Sequence, residues 1–119
     1  PYNMKSDNVV LDKSFDFAVR IVKMCNYLRS TKKEYTLTKQ LLRSGTSIGA
    51  NIAEAEQAQS KADFVSKMNI ALKEAGEAQY WLNILKDSNY LTLREFNSIY
   101  SDCTEIVRIL SAIVKTTKT

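Results

Sequence analysis

Apolar residues return every three or four positions along almost the whole chain, the period of a helix with one buried face. Short polar stretches divide the pattern into four runs. The first spans about Val10 to Lys32. Leu11, Phe15, Ala18, Val22 and Cys25 form its expected core seam, and a second apolar line, Phe17, Ile21, Met24 and Leu28, widens the face. After a polar connection at 30–35, a second helix is predicted from Thr36 to Gln57 or Ala58, with Leu41, Ser44, Ile48, Ile52 and Ala55 inward. Ser60 is a good N-cap for a third helix, and Asp63 stands three residues later where it can answer first-turn amides. Its seam, Phe64, Met68, Ala71, Ala75, Ala78, Leu82 and Leu85, alternates steps of four and three to about Ser88, as bundle helices do. Some 29 residues at 1.5 Å each make a rod of about 43 Å. Thr92 and Glu95 are spaced as a capping box for a fourth helix, in which Phe96, Ile99, Cys103, Ile106, Leu110 and Ile113 keep the same rhythm. Residues 116–119 are expected to fray. Four amphipathic helices on short connections predict an all-α fold, an antiparallel up-down-up-down four-helix bundle forming one domain over residues 1–119.

Two of the three glycines, Gly45 and Gly49, fall four residues apart inside the second run. A mid-helix glycine costs about 1 kcal/mol relative to alanine, so a pair on one face needs a reason. With Ser44, Ser47 and Ala50 they make a smooth surface on which another backbone can lie close. The alternative is a loop at 44–46 that splits the segment; the unbroken period favours one helix.

Composition narrows the chemistry. The chain of 119 residues is 45% apolar and 25% charged, the profile of an ordinary globular domain. No apolar run reaches membrane-spanning length, and the opening PYNMKSDNVV has no signal-peptide block, so a cytoplasmic protein without membrane association is expected. Histidine is absent, which removes the commonest general base and transition-metal ligand. Cys25 and Cys103 fall on apolar stripes and read as small core hydrophobes. No catalytic residue, metal ligand or cofactor is read from the chain. Glu54, Glu74 and Glu77 are the carboxylates nearest the seams, and pairing with Arg43 or Lys73 is their expected role.

Net charge is +4, and residues 1–35 hold seven Lys/Arg against four Asp/Glu. Segments 36–59 and 60–89 are each balanced. Lys13, Arg20, Lys23, Arg29, Lys32 and Lys33 are therefore the candidate nucleic-acid contacts, although solvent-facing bases more often serve solubility. Glu54 lies near the end of the second helix, where the helix dipole disfavours it, so a cationic partner is expected. Arg43, Gly45, Ser47, Gly49, Asn51, Glu54 and Trp81 are the candidate interface or polar-network residues. Phe17, Ile21, Met24, Leu42, Ile52, Ile70, Trp81 and Ile84 fall partly outside the seams, an excess that either fills a wide core or predicts a homo-oligomer.

Residues 40–85, QLLRSGTSIGANIAEAEQAQSKADFVSKMNIALKEAGEAQYWLNIL, carry a resemblance. Gln40, Arg43, Ser47, Ile48, the Asn51–Ala55 run, Ser60, Phe64, the ALKEA run at 71–75, Trp81 and Leu82 resemble the four-helix-bundle family of intervening-sequence proteins. Its members are encoded, among other places, in insertions within bacterial large-subunit ribosomal RNA genes. The likeness is close over the second and third helices and one of pattern elsewhere. At Ala55-Glu56 the chain departs from it, since many relatives have a glycine after the Ala-Glu pair. The resemblance implies a ring of five subunits, a homopentamer, which at +4 per chain would carry about +20. It also implies kinship with the basic pentameric accessory proteins of diversity-generating retroelements, which associate with a reverse transcriptase and nucleic acid. Two functions follow as expectations: a non-enzymatic accessory of RNA or DNA, or a scaffold for a protein partner such as a reverse transcriptase. An enzyme or metal site is the least supported reading.

Overall fold

The computed structural model describes residues 8–118. These form α1 (Val9–Lys32), α2 (Thr36–Ala55), α3 (Lys61–Asp87) and α4 (Leu93–Lys118). Each helix packs on the next in sequence and α4 returns to α1, while among the described residues the backbones of the diagonal pairs do not approach closely. The result is the expected up-down-up-down bundle, 44 Å long. The stretch PYNMKSD, from which the absence of a signal peptide was read, lies outside the described residues, as does Thr119.

Local chemistry sets the ends. Asn8 accepts the Leu11 amide at 3.0 Å to begin α1, and Ser60 accepts the Asp63 amide at 3.1 Å to begin α3. The capping box of α4 is complete: Thr92 Oγ1 accepts from Glu95 N at 3.1 Å, and Glu95 Oε1 accepts from Thr92 N at 2.8 Å. Two boundaries differ from expectation. α2 stops at Ala55 because the amides of Glu56, Gln57 and Ala58 turn back in a tightened last turn. α4 persists to Lys118, past the expected fraying, with the Thr117 hydroxyl donating to Ile113 O at 2.6 Å.

The start of α2 rests on Glu34, a residue placed in the polar connection. Its carboxylate is buried and accepts from the amides of Thr36, Leu37 and Thr38 at 3.2, 3.0 and 2.8 Å. Burial pushes its pKa up, but the three amide donors outweigh that and hold it below the usual carboxylate value. Lys33, in the left-handed region at φ 59°, makes the reversal between α1 and this cap.

The seams of α2, α3 and α4 are buried as read, except that Phe64 and Ile113 are half-buried and Val114 takes the last inward place. In α1 the two apolar lines exchange roles. Phe17, Ile21 and Leu28 join Leu11 and Cys25 in the core, whereas Phe15 and Ala18 are half-buried and Val22 is 39% exposed. The cause lies on α2. A Cβ built on Gly45 would meet Ile21 Cγ2 at 3.0 Å, and one on Gly49 would meet Ser14 Oγ at 3.1 Å. α2 is unbroken through 44–46, and its two glycines admit α1 of the same chain. Ser14 is fully buried against Gly49, its hydroxyl satisfied by Leu11 O at 2.9 Å.

Gly45→Ala gains about 1 kcal/mol of helix propensity but forces a methyl onto fully buried Ile21, an overpacking cost of about 1–3 kcal/mol. The expected outcome is a lower urea midpoint, by about 1 kcal/mol in stability. Gly76→Ala, with nothing within 4 Å of the new methyl, should raise it by about 1 kcal/mol. Glu34→Gln should cost about 1–2 kcal/mol at neutral pH. Because the folded pKa is depressed, that advantage is complete above the unfolded value near 4.5 and disappears as pH falls through the folded value. Urea titrations of both proteins between neutral and acid pH check this: the curves should converge only in acid.

Candidate functional site

Charged residues gather in three places. On the α2–α3 face, Arg43 spans two carboxylates one turn apart. Its Nη1 donates to both oxygens of Glu74 at 3.1 and 3.2 Å, and its Nη2 donates to Glu77. Glu77 also accepts from Trp81 Nε1 at 3.3 Å, and Tyr80 stands edge-on to Trp81 at 5.1 Å. Along α2 the line continues locally: Ser47 Oγ donates to Arg43 O at 2.6 Å, and Asn51 Nδ2 donates to Ser47 O at 2.8 Å. Arg43, Ser47, Asn51 and Trp81 thus belong to one polar surface. Glu54 does not join it. Eleven residues along α2 put it about 16 Å from Arg43, and its partner is Lys67 at 3.0 Å, whose pKa it raises. Lys73 is exposed and takes no part. Gly45 and Gly49 are turned toward α1, a neighbour in the same chain, where a subunit contact was also envisaged.

The second place is the α1–α4 seam. Lys13 pairs with Glu105 at 3.3 Å. Arg20 pairs with Asp102 and donates to Ser98 Oγ at 2.8 Å. Two of the six candidate nucleic-acid bases are therefore engaged in holding α4.

The third is the corner where α1 turns into α2. Arg29 Nε donates to Thr38 Oγ1 at 3.0 Å and forms no ion pair among the described residues. Lys23, Lys32 and Lys33 are exposed and form no ion pair among the described residues. Between Asp16 and Glu54 in sequence the only acid is Glu34, and its ionised carboxylate is buried at this corner as the α2 cap, where it offsets part of the positive charge. Lys39, exposed one turn into α2, adds a further base. Glu54 and Glu56 balance the charge of this segment from about 22 Å away along the same helix.

Cys25 and Cys103 are buried, free and donate to Thr38 O and Ala75 O at 3.6 and 3.4 Å. Burial pushes their pKa values up to about 11 and about 12, so both stay thiols at neutral pH. Among the described residues no group of three or more Cys, Asp or Glu is placed to hold a metal ion. None of the described helices is long and apolar enough to cross a membrane. Outside the core, Leu11, Phe15, Ala18, Thr46, Ala50 and Ala53 line an apolar groove of about 180 Å³ between α1 and α2, with Val19 and Val22 exposed on α1.

A family model described as 23S rRNA-intervening sequence protein matches residues 6–112. The chain belongs to that family. A crystal structure of a protein of unknown function from the S23 ribosomal protein family of Bacteroides thetaiotaomicron is 57% identical, with a TM-score of 0.88. That match covers 89% of this chain and 98% of the other. None of the curated proteins compared with it matches the chain. The stretch that carries the family likeness, 40–85, holds both the Arg43 network and the glycines, so in this intervening-sequence protein the most recognisable residues fix how α2 sits on its neighbours.

Arg43→Ala should therefore lower stability by about 0.5–1 kcal/mol, the range for a partly exposed multi-membered ion pair, and less at high salt. Lys23→Ala should leave it unchanged. Paired urea titrations at low and high salt check both.

Proposed function

We propose that this intervening-sequence protein is a non-enzymatic, homo-oligomeric accessory of nucleic acid, working in the cytoplasm within a ribonucleoprotein. The observation that carries the reading is the basic corner of α1 and α2. There Lys23, Lys32, Lys33 and Lys39 are exposed without an ion pair among the described residues, and only Glu34, buried as a cap, offsets them locally in sequence. Assembly is supported by the apolar groove and the exposed Val19 and Val22 beside it, since monomers seldom leave such surface in water. The resemblance that predicts a five-membered ring supports a closed assembly. A second reading, a scaffold for a protein partner such as a reverse transcriptase, is favoured by the same groove if it stays open in the assembly.

Light scattering at micromolar concentration should give a multiple of the 13.5 kDa chain mass; the mass of one chain would overturn assembly. Fluorescence anisotropy of labelled RNA or DNA should rise on addition of the protein at about 50 mM salt, and the affinity should fall steeply with added salt. Unchanged anisotropy would overturn the nucleic-acid reading.

A further inference from the structure

The basic corner also displays two tyrosines in water. Tyr27 is 47% exposed and Tyr35 is 57% exposed, and neither packs on another ring among the described residues. Their placement relative to charge is regular. Lys23 lies one turn before Tyr27 on the outward face of α1, and Lys39 lies one turn after Tyr35 at the start of α2, both at the four-residue spacing of helix neighbours. Lys32 and Lys33 stand between the two pairs, at the reversal. A π-face, a nearby ammonium and a central pair of ammoniums are what a short run of stacked bases and phosphates requires.

We infer that the corner formed by Lys23, Tyr27, Lys32, Lys33, Tyr35 and Lys39 is a binding site for single-stranded nucleic acid. The inference rests on the nucleic-acid reading above and narrows it. Stacking on a tyrosine needs a base released from its pair, so a duplex cannot use Tyr27 or Tyr35 and would meet only the lysines. Affinity for a strand then has two separable parts, one charge-dependent and one aromatic. An anionic lipid surface would also attract the lysines. Insertion into lipid needs Leu, Phe or Trp beside them, and here Leu28 is buried and Leu37 half-buried.

The test is anisotropy of a labelled oligouridine 12-mer and of a 12-base-pair duplex across a salt series, with folding of each variant checked by circular dichroism. The single strand should bind more tightly than the duplex. Tyr27→Ala and Tyr35→Ala should each weaken it about tenfold or more, whereas Tyr27→Phe and Tyr35→Phe keep the ring and should keep the affinity. Lys32→Gln with Lys33→Gln should lower the slope of log affinity against log salt by about 1.4, two phosphate contacts on a single strand. Lys61→Gln with Lys115→Gln, at the opposite end of the bundle, should change neither. Binding that survives both tyrosine truncations, or that prefers the duplex, overturns the inference and leaves the broader reading standing. No binding of either oligonucleotide by the unmodified protein overturns both. Co-sedimentation with phosphatidylserine vesicles in place of oligonucleotide binding assigns the corner to a membrane surface and overturns both as well.

Discussion

The close approach of α1 to α2 governs what every other surface of the bundle can be. Ile21 lies in the space left by Gly45, and Ser14 in that left by Gly49. Those two contacts choose one rotation of α1 out of the two that its apolar pattern would allow. With Ile21 inward, Lys13 and Arg20 are turned to α4, Phe15 and Ala18 to the rim of α2, and Lys23 and Tyr27 outward. The basic corner and the apolar groove are consequences of one steric choice made on the neighbouring helix.

Charge is used differently on the remaining faces. On α2–α3 and on α1–α4, opposite charges are matched across a helix boundary: Arg43 with Glu74 and Glu77, Glu54 with Lys67, Lys13 with Glu105, Arg20 with Asp102. Such partly exposed pairs contribute little stability each. At the α1–α2 corner Glu34 is buried as a helix cap and stays ionised, so it offsets only part of the positive charge, while the exposed lysines form no ion pair among the described residues.

Helix number, the caps of α3 and α4, and three of the four seams were legible because each depends on neighbours within one turn. Thr92 and Glu95 need only each other, and Met68 to Leu85 repeat without a competing line. The rotation of α1 was not legible. Phe15–Val22 and Phe17–Leu28 are both apolar at helical spacing, and deciding between them requires knowing that the partner residues are glycines lying opposite. Gly45 and Gly49 were recognised as a site of close approach, but no local rule says whether the visitor is a neighbouring helix or another chain. Of the candidate network, Arg43, Ser47 and Asn51 line one face of α2 and Trp81 meets them through Glu77 on α3, while Glu54 is too far along α2 to belong. Lys39 was hidden by arithmetic: a charge total has no position, and a helix of this length separates its ends by more than a Debye length.

The groove and the corner occupy the same pair of helices at different heights, the groove toward the start of α1 and the corner at its end. Copies that met through the groove would therefore leave the corners uncovered and repeat them around one end of the assembly. Two phenol rings and four lysines make a weak site alone. Several such sites on a rigid frame would bind one strand with an effective concentration set by their spacing, so avidity would supply what a single corner lacks. The stiffness of the bundle then has a use that a flexible basic tail could not provide. Glu34, by capping the first turn of α2 at the end of α1, would fix the angle at which each corner of such an assembly is presented.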